Sequence, residues 1–129
     1  MDTRRALFIT GASGFVGGAI VRALTDRFTL RALSRSEGSD ATIRALGATP
    51  VRGELGAVTA EAIGSSEAVI HCAAFVKQWG TREQFWNANV EGTRQLLQVA
   101  RQAGVRRFIH IATEGALFHG QHMPDIDER

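Results

Sequence analysis

Three glycines spaced three residues apart follow a short apolar segment near the start of the chain. Gly11, Gly14 and Gly17 come after the apolar residues 6–9, and a helical pattern follows them. A strand that ends in a glycine-rich turn and continues into a helix N-terminus can bind the pyrophosphate of a dinucleotide. An ordinary β–α turn is the alternative interpretation of the glycines alone. Because strand, turn and helix occur together, the sequence favours a dinucleotide site.

Each glycine has a predicted role in this turn. Gly11 lets the backbone turn sharply off the strand, and Gly14 leaves room for phosphate beside bare backbone. Gly17 lets the helix pack closely against the strand. We therefore expect all three positions to be needed for the site.

Composition limits the class of protein. The 129 residues are 44% hydrophobic and 22% charged, which is ordinary for one soluble globular domain. The net charge of +2 comes from scattered arginines, without a basic block, so we expect no nucleic-acid partner. Cys72 is the only cysteine, and the sequence shows neither a signal peptide nor a membrane-spanning apolar run. We expect a cytoplasmic setting and no membrane partner.

Strand-like and helix-like segments alternate along the whole chain. Strands are predicted at 6–10, 28–34, 49–52, 68–73 and 107–112, and helices at 15–25, 41–46, 59–63 and 82–103. The residues 36–40 between them look like a polar loop. This alternation predicts an α/β fold, a doubly wound parallel sheet of the Rossmann type with strand order 3-2-1-4-5. A cofactor would lie across the carboxyl ends of strands 1 and 4.

The longest predicted helix is the best marked one. Thr81 and Gln84 form a capping box at its start, and Gly104 is expected to end it. Asn89 lies in the middle of this helix, where asparagine is a poor helix former. We expect Asn89 to distort the helix or to hold water.

Four motifs, in order, resemble the extended short-chain dehydrogenase/reductase family, which includes NAD-dependent epimerases, dehydratases and reductases. They are the 11-14-17 glycine spacing, His71-Cys-Ala-Ala74, Asn89-Val-Glu-Gly-Thr93, and Phe108-Ile-His-Ile-Ala-Thr113. The tail from Phe118 is most similar to reductase and hydroxysteroid-dehydrogenase members. The resemblance implies an NAD(P)-dependent oxidoreductase or epimerase acting on a hydroxyl or keto carbon of a small molecule.

The resemblance also implies which residues hold the cofactor. Contacts to the pyrophosphate would come from the turn residues Gly11, Ala12, Ser13, Gly14, Phe15, Val16 and Gly17. Arg35 lies where NAD-binding relatives place an acid, and a guanidinium there suits the 2′-phosphate of NADP. NAD is the alternative, with Glu37 as a displaced ribose ligand, and Arg35 could also be a solvated loop residue.

Two further segments are implied to contact the cofactor. Glu54 and Leu55 resemble the Asp-Leu pair that meets the adenine in relatives, with glutamate here in place of aspartate. Ala73 and Ala74 would let the backbone approach the ribose, although packing of a buried strand explains them equally well.

The catalytic residues implied by the resemblance are Thr113 and Asn89. In relatives a tyrosine, with a lysine four residues later, supplies acid–base catalysis. This chain has no tyrosine, and its one lysine, Lys77, is on another segment. We therefore expect residues 1–129 to be an incomplete NAD(P)-binding Rossmann domain, truncated after about five strands, without the substrate-binding portion and inactive alone.

Two other functions stay open at the sequence level. The chain could be a non-catalytic dinucleotide-binding sensor, or an interaction module that has kept only the fold. His119 and His122 lack a cysteine partner, so we expect no metal site. The apolar fifth strand would lie at a sheet edge, which predicts self-association.

Overall fold

A five-stranded parallel sheet forms the centre of the computed structural model, which describes residues 3–124 and 127. The strands are β1 (Ala6–Thr10), β2 (Thr29–Ser34), β3 (Thr49–Arg52), β4 (Ala68–His71) and β5 (Arg107–His110). Their order is β3-β2-β1-β4-β5, and every neighbouring pair is parallel. This confirms the doubly wound sheet and the predicted strand order.

Helices follow the strands. They are α1 (Phe15–Leu24), α2 (Glu37–Ala45), α3 (Ala60–Ile63), α4 (Arg82–Trp86) and α5 (Gly92–Gln102). A π-helical turn, Asn87–Glu91, joins α4 to α5, and a 3₁₀ turn, Glu114–Leu117, follows β5. Within the part of the chain described above, no helix is long and apolar enough to cross a membrane.

Apolar residues alternate between the two faces of the sheet, because successive side chains of a strand point in opposite directions. In β1, Leu7 and Ile9 belong to a cluster that includes Val21 of α1 and Ile43 of α2. Phe8 belongs to a second cluster, formed with α3 and α5. Two helical layers therefore cover a sheet whose carboxyl edge stays accessible.

The structure corrects the predicted polar loop at residues 36–40. These residues are the start of α2, and the Ser36 hydroxyl caps the helix by accepting a hydrogen bond from Ser39 N at 3.2 Å. Polar residues at this position satisfy the free N–H groups of a first helical turn, so their polarity marks a helix start.

Strands β4 and β5 end earlier than predicted. The backbone leaves the sheet at Gly11, whose φ is +75°, so β1 offers no backbone partner to Ala73. The last bond of this ladder runs from Cys72 N to Thr10 O at 3.2 Å. The residues after His71 consequently form a wall at the sheet edge, and β5 stops where β4 stops.

The predicted helix over 82–103 is present but interrupted. Its capping box at Thr81 and Gln84 is confirmed, and Gly104 follows its end with a φ of +77°. The π-helical turn lies at Asn89, where the sequence predicted a distortion.

Candidate functional site

A cavity of about 590 Å³ opens at the carboxyl edge of the sheet. It lies where β1 and β4 are neighbours and their connections run to opposite sides, the usual ligand position in such folds. Its lining consists of Gly11, Ser13, Gly14, Leu33, Arg35, Ser39, Glu54, Leu55, Cys72, Ala73, Ala74, Phe75, Val76, Lys77 and Ala88. Eight of the residues predicted to bind the cofactor are thus brought together: Gly11, Ser13, Gly14, Arg35, Glu54, Leu55, Ala73 and Ala74.

The floor of the cavity is the glycine turn. A Cβ on Gly11 would lie 2.7 Å from Ala73 N, and one on Gly17 would lie 2.0 Å from the Gly11 carbonyl oxygen. Side chains are therefore excluded at both positions by backbone. Gly14 precedes α1, and no side chain caps that helix, so the N–H groups of its first turn are left for an anion. This cradle fits a dinucleotide pyrophosphate.

One wall of the cavity is the segment 73–75, which follows β4. Ala73 N donates to the Thr10 hydroxyl at 3.2 Å. Phe75 N donates to Asn89 Oδ1 at 2.8 Å, and Asn89 Nδ2 donates back to Phe75 O at 3.2 Å. The wall is therefore fixed at both ends by side chains of β1 and the π-helical turn.

A buried histidine lies behind this wall. His71 is 1% exposed, and its ring nitrogens are 2.6 Å from the Thr10 hydroxyl and 2.9 Å from the Thr93 hydroxyl. Burial, together with the smaller effect of the neighbouring His110, lowers the pKa of His71 to about 4. The ring is consequently neutral at neutral pH.

Sequence reasoning gave the side chains of Thr10, His71 and Thr93 no role. Thr10 and His71 end two buried strands that are neighbours in the sheet, and both are polar. Polar residues at paired strand ends were the available signal. The contact with Thr93 requires the packing of the long helix, which the sequence alone does not give.

Arg35, Glu54 and Leu55 line the other end of the cavity, beyond the ends of β2 and β3. A Cβ on Gly92 would lie 2.8 Å from the Leu55 side chain, so α5 packs closely against that residue. Glu37 starts α2 and does not line the cavity.

Several predicted residues do not line the cavity. Ala12 and Gly17 are buried, whereas Phe15 and Val16 are 92% and 47% exposed. Asn89 lies behind the wall, with its amide bonded to Phe75. The contacts predicted for the turn residues are made by backbone N–H groups. The exposure of their side chains therefore neither establishes nor excludes those contacts.

Thr113 is also outside the cavity. It is exposed after the end of β5, and its hydroxyl accepts a hydrogen bond from Gly115 N at 3.2 Å, which caps the 3₁₀ turn. The hydroxyl hydrogen is directed at Glu114 Oε2, 3.3 Å away, so these hydrogen bonds of Thr113 are made within the 3₁₀ turn.

Four residues that were given no binding role in the sequence analysis line the cavity after β4, namely Cys72, Phe75, Val76 and Lys77. Burial raises the pKa of the Cys72 thiol, which keeps it protonated and poorly nucleophilic. The Lys77 ammonium lies 5.5 Å from the centre of the Phe75 ring. Across residues 3–124 and 127, no three histidine, cysteine or acidic side chains are grouped to hold a metal ion.

Comparison with known proteins places this site in context. The chain is 36% identical over 124 residues to a 4-hydroxy-2-methyl-3-oxo-4-farnesyl-3,4-dihydroquinoline-1-oxide ketoreductase of Stigmatella aurantiaca, covering 94% of this chain and 37% of that protein. It is 33% identical to a decarboxylating sterol-4-alpha-carboxylate 3-dehydrogenase of Dictyostelium discoideum, covering 95% of this chain and 39% of that protein. The chain thus spans less than half the length of these relatives.

Solved structures share the fold. The UDP-glucuronic acid 4-epimerase from Bacillus cereus, crystallised with NAD, superimposes with a TM-score of 0.76 at 21% identity. The match covers 95% of this chain and 44% of the epimerase.

The NAD dependent epimerase/dehydratase family matches residues 7–129, nearly the whole chain. That match covers the glycine turn, the wall after β4 and the π-helical turn. This chain belongs to the NAD dependent epimerase/dehydratase family.

Proposed function

We propose that this chain is the cofactor-binding part of an NAD(P)-dependent oxidoreductase or epimerase that acts on a hydroxyl or keto carbon of a small molecule. One observation carries the proposal. The uncapped N-terminus of α1 meets the cavity at Gly14, between two glycines at which any side chain would collide with backbone. A pyrophosphate there would accept hydrogen bonds from the free N–H groups and lie at the positive end of the helix dipole.

The cofactor we favour is NADP. Arg35 lines the cavity beyond β2, and its planar guanidinium can pair with two oxygens of a 2′-phosphate. NAD is the alternative, because Glu54 lies in the same part of the cavity and could accept hydrogen bonds from an unphosphorylated nucleoside.

The reaction class is supported by the relatives, one a ketoreductase and the other a 3-dehydrogenase. A bound nicotinamide supplies or accepts the hydride. In this chain the turn residues would hold the pyrophosphate, and Ala73 and Ala74 would let the backbone approach the ribose. Thr113 would orient the substrate oxygen through its hydroxyl in the longer protein, and a proton-transfer pair would have to come from residues outside this sequence.

Titration with NADPH and NADH tests the proposal, with intrinsic dinucleotide fluorescence as the signal. A Cβ on Gly14 would meet only the Gly11 carbonyl oxygen, at 3.3 Å, so Gly14→Val should fold while its side chain fills the phosphate position. We expect this variant to lose binding of both dinucleotides. Gly115→Val is the matched control, because an added Cβ there meets only Thr113 atoms at 3.4 Å or more. Unchanged binding by Gly14→Val would refute the proposed site.

A dinucleotide-binding sensor is the second candidate, because binding of a dinucleotide at the glycine turn does not by itself require catalysis. The coding sequence downstream of Arg129 discriminates between the two. A reading frame that continues into Tyr-x-x-x-Lys supports the enzyme, whereas a stop codon at that point supports the sensor.

A further inference from the structure

The hydrogen bonds around His71 have one consistent direction. The Thr93 hydroxyl donates to the Asn89 carbonyl oxygen at 2.8 Å, which uses its only hydrogen. Its oxygen must therefore accept from His71 Nε2, which lies 2.9 Å away. The hydrogen of the neutral ring is then on Nε2, and Nδ1 accepts from the Thr10 hydroxyl at 2.6 Å.

The same series of hydrogen bonds continues into the cavity wall. The oxygen of the Thr10 hydroxyl accepts the Ala73 N–H at 3.2 Å, while its hydrogen is directed at His71. The bonds thus run without a break from the wall through Thr10, His71 and Thr93 to the backbone of Asn89. The side chain of Asn89 then returns to the wall at Phe75.

The wall lies directly against the backbone of the glycine turn. Ala73 N lies only 2.7 Å from the position that a Cβ of Gly11 would occupy. Ala73, Ala74 and Phe75 all line the cavity, whereas Thr10, His71, Thr93 and Asn89 do not. A change in the hydrogen bonds of these four residues would therefore shift the wall, which is a surface that the ligand contacts.

We propose that Thr10, His71, Thr93 and Asn89 are positioning residues, which hold the wall 73–75 at the spacing from Gly11 that dinucleotide binding requires. This inference rests on the proposed dinucleotide site. A wall fixed before binding spares the ligand the cost of ordering it. For Asn89 this role replaces direct catalysis, because its amide is occupied by Phe75.

Substitution of Thr93 tests this series of hydrogen bonds, because Thr93 links His71 to Asn89. Thr93→Val removes the hydroxyl at nearly constant volume, and Thr93→Ser restores it. Thr42→Val is the matched control, because the Thr42 hydroxyl also donates to a carbonyl four residues earlier, that of Gly38, at 3.1 Å. Thr42 is exposed on α2 and does not line the cavity.

Two measurements are made on each variant. Nuclear magnetic resonance gives the amide shifts of residues 73–75 without ligand, and titration gives the dissociation constant for NADPH. We expect Thr93→Val to move these amides and to weaken NADPH binding roughly 5- to 10-fold, the loss of one hydrogen bond. Thr93→Ser should restore both values, and Thr42→Val should change neither. If Thr93→Val does not fold, Asn89→Ala removes the Phe75 contacts at a half-buried position instead.

The outcomes separate the two hypotheses. Wall amides that stay in place in Thr93→Val, or that move while NADPH affinity is unchanged, overturn the positioning role. If the unmodified chain binds no dinucleotide, the proposed function fails. In that case the amide shifts of residues 73–75 alone test whether the four residues position the wall, and shifts that do not change in Thr93→Val reject this.

Discussion

At the scale of single residues, some side chains in and around the cavity could be predicted from the sequence and others could not. The role of Arg35 was predicted from the family resemblance, which places an acid just past strand 2 in NAD-binding relatives, and Arg35 lines the cavity. The roles of His71 and Thr93 were not found, because they lie 22 residues apart and meet only after β4 and α5 have packed. Sequence patterns report positions along one element, whereas these contacts join elements.

The choice between NADP and NAD is a prediction about Arg35. NADPH should bind more tightly than NADH, because a charge-assisted contact is worth about 1.5–3 kcal/mol, or roughly 10- to 100-fold in affinity. Arg35→Ala should abolish the difference. Arg44→Ala removes the same charge from exposed α2, outside the cavity, and should preserve it. Equal affinities of the unmodified chain for the two dinucleotides would reject NADP.

Buried His71 predicts acid sensitivity of the fold. Its pKa falls from 6.5 to about 4 on folding, so the unfolded chain binds a proton that the folded chain does not. Stability is therefore fully present above pH 6.5 and declines as the pH falls toward 4, by about 3 kcal/mol in total. About 2 kcal/mol should be lost between pH 6.5 and 5, before most carboxylates titrate.

Urea denaturation at several pH values measures this effect. His71→Gln cannot titrate, so the variant should be less stable at pH 7.5 yet show a shallower pH dependence between 6.5 and 5. Parallel pH profiles for the two proteins would show that His71 is not responsible.

At the scale of elements, the glycine turn and the long helix show what periodicity can and cannot predict. The spacing of apolar residues predicted the strands and most helices, because it records which face is buried. It did not predict the π-helical turn as such. At that turn the Asn89 side chain bonds to Phe75, a residue of another segment, and contacts between segments are outside what periodicity records. Such turns occur often at functional sites.

The packing of α1 on β1 gives a sharp prediction for two adjacent glycines. A Cβ on Gly17 would lie 2.0 Å from the Gly11 carbonyl oxygen, so Gly17→Ala must displace the helix. A Cβ on Gly18 would lie 3.4 Å from its nearest neighbour, the Ala12 carbonyl oxygen. Gly18→Ala should therefore be neutral or stabilise by up to about 1 kcal/mol, since alanine favours helix.

Thermal unfolding of both variants tests this contrast. We expect Gly17→Ala to destabilise by more than about 2 kcal/mol, as overpacking against rigid backbone does. Equal melting temperatures for the two variants would mean that α1 moves freely on the sheet.

At the scale of the whole molecule, the two sheet edges differ. Strand β3 carries Pro50, which lacks an N–H group, and ends in Arg52. Proline and charge both discourage pairing with another chain. Strand β5 is the other edge, and Arg107 is its only arginine, lysine or acidic residue. The chain spans 37% to 39% of two of its relatives, so most of their length has no counterpart here.

Self-association through β5 is the expected consequence. Ile109 and Ile111 are 46% and 39% exposed at this edge, and Phe108 lines a groove of about 460 Å³ between α5 and β5. Unpaired backbone groups beside exposed apolar side chains pair readily with a second copy. We expect light scattering on the 129-residue chain to show a mass that rises with concentration in the micromolar range.

Ile109→Lys should shift the chain toward monomer, because a lysine at an edge must be desolvated when a second strand pairs. Leu117→Lys adds the same charge at an exposed apolar position outside the strand and should leave the association unchanged. A mass that is monomeric and independent of dilution would contradict the prediction, and equal effects of the two lysines would point to net charge rather than to β5.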